Sequence, residues 1–169
     1  ILTKIKTLNQ ESPYADARFS LCNIDPGQMR VGQKFVYRDN YTALLEALPD
    51  LFSDFVCSSG IMGLGAYVIF GETAEEVPTL SFYLPPIIEK HTDLVVMDGM
   101  HRNFLTKQIG GAIAAILVKN IRTPFPCAPQ DWIEVKVINL SEKPNEIDER
   151  YFGLRKELFR NLKYLGIDG

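Results

Sequence analysis

The stretch Pro86–Val118, PIIEKHTDLVVMDGMHRNFLTKQIGGAIAAILV, decides the fold. Its apolar runs at 87–90 and 94–97 each predict a short strand. The polar residues 91–93 between the two runs are typical of a turn. We therefore expect two neighbouring strands to open this segment.

The second half of the stretch predicts a helix followed by another buried element. The helix is expected from Arg102 to about Ile109, since a glycine at Gly110 can take the left-handed conformation that often ends helices. The apolar segment Ala112–Val118 fits either a strand or a continuing helix, and its β-branched residues favour a strand. The predicted fold class is α+β, with a small mixed sheet and flanking helices.

Elsewhere the periodicity of apolar residues predicts two amphipathic helices. One begins after Asn40, a candidate N-cap, and contains Pro49, which should kink or split it. The other runs from about Asn145 to Leu165, and its basic residues indicate either a solvent-facing side or a nucleic-acid surface. Further strands are expected at Arg18–Ile24, Lys34–Tyr37, Ala66–Phe70, Leu80–Leu84 and Trp132–Leu140.

Composition indicates one globular domain. The chain has 169 residues, a formal net charge of −3, three cysteines and two histidines. We expect a single domain over 1–169, with 1–40 and 141–169 as extensions packed on it. The wide cysteine spacing disfavours disulfides, and no apolar run reaches the ~20 residues of a membrane span. These features together predict a cytoplasmic protein that binds no membrane.

The segment Asp98–Asn103 carries the clearest chemistry in the sequence. It joins a predicted buried strand to a helix through Gly99, and the first turn holds His101 and Arg102. The free backbone N–H groups at a helix N-terminus favour anions, above all phosphate. Gly99 lets a ligand approach the main chain, and Arg102 can hold two phosphate oxygens.

Two side chains of this segment suit catalysis. Asp98 could orient His101 or bind Mg²⁺, and His101 could supply a hydrogen bond or a positive charge. The alternative is that His101 and Arg102 are ordinary polar residues at a helix start. His91, in the predicted turn, is expected to be a surface histidine. The glycine-rich loop 58–65 fits neither a Walker nor a dinucleotide-binding pattern, so a flexible turn is the favoured interpretation.

The residues Asp98-Gly99-Met100-His101-Arg102 resemble the Asp-Gly-x-His-Arg signature of the ParB/sulfiredoxin-like superfamily, particularly its DGQHR branch. The resemblance extends over about 40–120 and is most specific over 86–118. It implies a ParB/sulfiredoxin-like domain that binds a nucleoside triphosphate, ATP or CTP, with Mg²⁺ as a further ligand. Gly99, Met100, His101, Arg102 and Asn103 would contact the nucleotide, with Asp98 and His101 catalytic and Asp98 on the metal.

Members of this superfamily serve different ends, including CTP-switched DNA clamps, sulfinic acid reduction with ATP, phosphorylation of serine and nuclease activity. Met100 stands where sulfiredoxins carry their catalytic cysteine, which argues against sulfinic acid reduction. Two hypotheses remain open at this point. One is an enzyme of nucleotide-dependent phosphoryl transfer or hydrolysis, such as a phosphotransferase or a nuclease-like hydrolase. The other is a nucleotide-binding or DNA-associated regulatory module without turnover.

Overall fold

The computed structural model describes residues 2–43, 45–46, 67–72, 78–83 and 85–161. These residues form a mixed α+β structure around a small mixed sheet. The predicted kink at Pro49 and the loop 58–65 lie outside the described residues.

The strands are short, and most belong to the middle of the chain or to its N-terminal part. Their bounds are β1 Lys6–Thr7, β2 Arg18–Ile24, β3 Met29–Val31, β4 Phe35–Tyr37, β5 Tyr67–Glu72, β6 Pro78–Tyr83, β7 Ile87–Lys90, β8 Leu94–Val96, β9 Ile113–Lys119, β10 Lys136–Ile138 and β11 Arg160–Asn161. Helix α1 includes residues 38–43 and 45–46, and helix α2 spans Met100–Gln108.

The central sheet has five strands in the order β2-β9-β7-β8-β3. Strand β7 lies at its centre, parallel to β9 and antiparallel to β8. Strands β2 and β3 form the described edges, antiparallel to β9 and parallel to β8 respectively. Three smaller pairings, β1 with β11, β4 with β10 and β5 with β6, accompany this sheet.

Helix α2 connects β8 to β9 and packs on one face of the sheet. Because β8 and β9 lie on opposite sides of β7, the helix crosses over β7. Met100 from the helix is buried there against Ile88 of β7 and Val96 of β8. Phe104 adds partly buried area to the same cluster and lies 5.9 Å from the ring of Tyr41 in α1.

The opposite face of the sheet is also covered. Alternation along β7 directs Ile88 to the helix face and Ile87 to a second core with Ile5, Tyr14 and Val118. Because β7 is buried on both faces, its two consecutive residues Ile87 and Ile88 are both apolar. The position of β7 thus fixes both β8 and α2, which carry the motif.

Several strand predictions are confirmed, and helices α1 and α2 both begin earlier than expected. Strands are found at Arg18–Ile24, Ile87–Lys90 and Ile113–Lys119, so the segment after Gly110 is a strand and not a helix. Helix α2 begins at Met100, two residues earlier than expected. Helix α1 begins at residue 38, directly after β4, so Asn40 lies inside it and is not its cap.

The predicted C-terminal helix is wrong over the described residues. Short 3-10 turns at Ile147–Arg150 and Lys156–Leu158 replace it, followed by β11. The main chain instead bonds to distant segments: the Phe152 amide donates to the carbonyl of Gly32, and the Arg155 amide to that of Pro126. Gly153, with φ of 53°, adopts a left-handed conformation that a right-handed helix excludes.

The predicted strand at Trp132–Leu140 is also corrected. The chain forms a 3-10 turn at Trp132–Glu134, followed by the short strand β10. In this turn the Trp132 indole N–H donates a hydrogen bond to the carbonyl of Pro26, 2.8 Å away. Residues 1–40 supply β2 and β3 to the central sheet. Among the described residues, no helix is long and apolar enough to cross a membrane.

Candidate phosphate-binding site

The turn between β8 and α2 depends on Gly99. The amides of Met97 and Asp98 both donate to the carbonyl of Ile87, so the chain leaves the sheet abruptly. Gly99 follows with φ 84° and ψ 33° and is the N-cap of α2. A Cβ atom at this position would lie 2.8 Å from the Cβ of Pro86, closer than such atoms approach. Both the conformation and the close packing therefore require glycine.

The first turn of α2 has the charge that suits a bound anion. It has no acidic residue, and its N-cap residue, Gly99, has no side chain that could cap the amides. An ideal Cβ on Gly99 would be 3.1 Å from Nη2 of Arg102, so the guanidinium lies beside the N-terminus of its own helix. A cation there opposes the positive end of the helix dipole, at a cost of roughly 0.3–1 kcal/mol.

Asp98 forms an ion pair with this guanidinium. One of its carboxylate oxygens is 3.3 Å from Nη2 of Arg102, and the Arg102 side chain is 18% exposed. This pair orients the arginine and offsets part of its charge. Among the described residues, no group of three His, Cys, Asp or Glu side chains is placed to hold a metal ion.

Asn103 fixes the turn at Gly99 through two hydrogen bonds. Its backbone amide and its side-chain Nδ2 both donate to the carbonyl of Gly99, at 3.0 and 2.9 Å. The side chain is fully buried, and its Oδ1 has no hydrogen-bond partner among the described residues. A buried amide oxygen without a donor is a group that a water or a ligand commonly satisfies.

Two of the predicted contact residues, Met100 and His101, have side chains that are engaged elsewhere in the structure. Met100 is 5% exposed and belongs to the core beneath α2, so only its backbone is available to a ligand. The Nε2 atom of His101 accepts a hydrogen bond of 3.0 Å from the backbone amide of Tyr37. Burial lowers the pKa of His101 below its ordinary value of 6.5, so the ring is neutral at pH 7. His101 therefore joins α2 to β4.

A second cluster of polar side chains was not expected from the sequence. Glu89 of β7 is fully buried and forms two hydrogen bonds of 3.0 Å with Arg160 of β11. It also accepts from the hydroxyl of Tyr14 at 2.5 Å and pairs with Nε2 of His91 at 2.6 Å. The His91 side chain is 23% exposed, so this histidine is anchored and not the free surface residue that the turn predicted.

The one sign of this cluster in the sequence is Glu89, a charged residue directly after two apolar residues of a predicted strand. A carboxylate in the apolar run Ile87-Ile88-Glu89 must be paired when the strand is buried on both faces. The donors, however, come from Tyr14 and Arg160, far away in the sequence.

Compared with known proteins, the chain matches no family model, no curated protein and no solved structure.

Proposed function

We propose that the protein binds the phosphate groups of a nucleotide at the N-terminus of α2, as its resemblance to the ParB/sulfiredoxin-like superfamily implies. The nucleotide is a triphosphate such as ATP or CTP. The motif and the strand, turn and helix around it support the same interpretation.

One observation carries this proposal. The start of α2 combines an N-cap glycine that has no side chain to cap the amides, a first turn with no acidic residue and the Arg102 guanidinium next to Gly99. Asp98 offsets part of the Arg102 charge, and an anion bound at the start of α2 would interact favourably with both the helix amides and the guanidinium. A phosphate would accept from the helix amides and from Arg102, whose planar group can bind two oxygens at once.

In this proposal Asp98 and Asn103 have roles that differ from those implied by the resemblance alone. Asp98 positions Arg102 through their ion pair. To bind Mg²⁺ as well, Asp98 would contribute one carboxylate, and phosphate and water would supply the other ligands, as is usual for this ion. Asn103 holds the Gly99 carbonyl and keeps the turn rigid.

The geometry favours binding without turnover over catalysis by His101. The ring is neutral, and its Nε2 lone pair is used by the Tyr37 amide, so it is not available to accept a proton from a substrate. We therefore propose that the protein is a nucleotide-binding regulatory module, in preference to a phosphotransferase or hydrolase. DNA is a partner only as part of such a module.

The experiment measures thermal unfolding with ATP, CTP, GTP and ADP, each with and without Mg²⁺. A ligand at a hundred times its Kd stabilises the native state by about 2.7 kcal/mol, which is readily detected. Arg102→Ala should abolish the shift. Lys107→Ala is the matched control, because it removes the same charge from the last turn of the same helix and should keep the shift.

The outcomes separate the alternatives. A nucleotide shift that survives in Arg102→Ala, or no shift with any nucleotide, would overturn the proposed site. Binding without product at high protein concentration supports the regulatory module. Product formation that disappears in His101→Ala would instead establish the enzyme.

A further inference from the structure

The buried carboxylate of Glu89 determines which nitrogen of His91 carries the proton. Burial alone would raise the pKa of Glu89, but hydrogen bonds from His91 and the Arg160 charge outweigh it, and the pKa lies below 4.5. Glu89 is therefore ionised at neutral pH and only accepts hydrogen bonds. The Nε2 atom of His91, 2.6 Å from this carboxylate, must then be the donor.

This leaves Nδ1 as the ring nitrogen that can hydrogen-bond to another group. In the described part of the chain, no residue hydrogen-bonds to His91 Nδ1. A carboxylate partner at one ring nitrogen fixes the orientation of the whole ring, as in many metal-bound histidines. His91 thus presents Nδ1 in a fixed position.

A cavity of about 220 Å³ lies against the same histidine. Its wall includes the ring of Phe125, which meets the His91 ring edge to face at 5.9 Å, and the side chain of Val95. Burial raises the pKa of the Cys127 thiol in this wall to about 12, so it is a neutral, apolar surface. The cavity is open to solvent, and its volume exceeds the roughly 150 Å³ in which an enclosed cavity accepts benzene, so it has room for an aromatic ring.

Arg155 provides the charge of the cavity. Its Nη2 donates to the carbonyl of Phe125 at 2.5 Å, which holds the guanidinium at the cavity wall. The acidic residue of the wall, Asp93, lies 3.5 Å from Arg30, which also lies 3.6 Å from Asp131. Arg155 is the cation that lines the cavity, and it is therefore the group that would hold an anionic ligand there.

We propose that this cavity binds a small aromatic hydroxy acid, with the carboxylate on Arg155 and the hydroxyl hydrogen-bonded to Nδ1 of His91. The ligand ring would pack against Phe125 and Val95. The site is distinct from the start of α2, because the two lie at opposite ends of β8, about 10 Å apart along a three-residue strand. It can therefore exist whether or not the chain binds nucleotides.

The experiment follows the ring nitrogens of histidine by NMR in ¹⁵N-labelled full-length protein. With two histidines in the chain, His101→Gln assigns both sets of signals. Without ligand, Nε2 of His91 and Nδ1 of His101 should each carry a proton. The probes are meta- and para-hydroxybenzoate, with benzoate lacking the hydroxyl and para-hydroxybenzamide lacking the charge.

We expect a hydroxybenzoate to shift the Nδ1 signal of His91, and Arg155→Gln to weaken its binding roughly tenfold or more, since a charge-assisted hydrogen bond is lost. Lys156→Gln removes the same charge from the neighbouring residue and should leave the affinity unchanged. Benzoate and the benzamide should bind more weakly than the hydroxybenzoate.

Three results would overturn the proposal: no shift at His91 with either hydroxybenzoate, equal weakening in the two charge variants, or an Nε2 of His91 that carries no proton. The last result is independent of any ligand and any variant of the cavity.

Discussion

The ion pair of Glu89 and Arg160 offers the sharpest test of the fold, because its charges are almost completely removed from water. Their side chains are 0% and 2% exposed, and two 3.0 Å hydrogen bonds join them. Glu89→Gln keeps the size of the side chain and still accepts from Tyr14, but it leaves Arg160 without its counter-charge. Removing one partner of a buried pair costs about 3–5 kcal/mol.

This loss is large against a total free energy of unfolding of about 5–15 kcal/mol. Urea denaturation measures it directly. The matched control is Asp16→Asn, which breaks the exposed ion pair with Arg122, where both side chains are at least 60% exposed. Such a pair contributes less than about 1 kcal/mol.

A double variant identifies the cause of the loss. Arg160→Met combined with Glu89→Gln removes both charges, so it should destabilise the protein less than the sum of the two single variants. The reasoning is refuted if Glu89→Gln lowers the free energy of unfolding no more than Asp16→Asn does.

The same pair predicts how stability responds to acid. Because the pKa of Glu89 is lower in the folded than in the unfolded chain, the unfolded state binds more protons between the two values. The contribution of Glu89 is therefore complete above about pH 4.5 and is lost as the pH falls through the folded pKa. Glu89→Gln should remove this part of the acid dependence.

Three further outcomes are expected. Gly99→Ala should lower the free energy of unfolding by about 1–3 kcal/mol more than Gly110→Ala in urea denaturation, because a Cβ would meet Pro86 at Gly99 and nothing within 4 Å at Gly110; equal losses would contradict the close packing. Burial lowers the pKa of His101, so the wild type should lose stability as the pH falls below about 6.5 relative to His101→Gln, by at most about 1.4 kcal/mol per pH unit; parallel pH profiles would contradict this. The Cys127 thiol, with a pKa of about 12, should resist iodoacetamide at pH 8 until urea is added, as peptide mass spectrometry would reveal, and rapid labelling of the native protein would refute it.

The segment that opens with β7 could be predicted from sequence because its signals are local. Apolar runs specify β7 and β8, and a glycine at each end of α2 marks where the helix starts and stops. The motif residues were therefore placed correctly at the start of a helix. The role of His101 was not predictable, because its partner is the amide of Tyr37, 64 positions away.

The C-terminal segment shows why a local pattern can mislead. Apolar residues at spacings of three and four predicted an amphipathic helix with basic residues on its solvent side. Arg160 instead points inward to Glu89, 71 positions away, and hydrogen bonds to Gly32 and Pro126 hold the backbone of residues 152–155. Periodicity does not register such distant partners, so tertiary contacts override it.

The pairing of β1 with β11 has a consequence for the order of folding. It joins Lys6 to Asn161 and Thr7 to Arg160, residues from opposite ends of the described chain. Closing so long a loop costs much chain entropy, and two paired residues return little of it before Glu89 is in place. The central sheet should therefore form first, and β1 should pair with β11 last. In hydrogen exchange, the amides of β1 and β11 should open at a free energy well below that of global unfolding, while those of β7 should exchange only on complete unfolding.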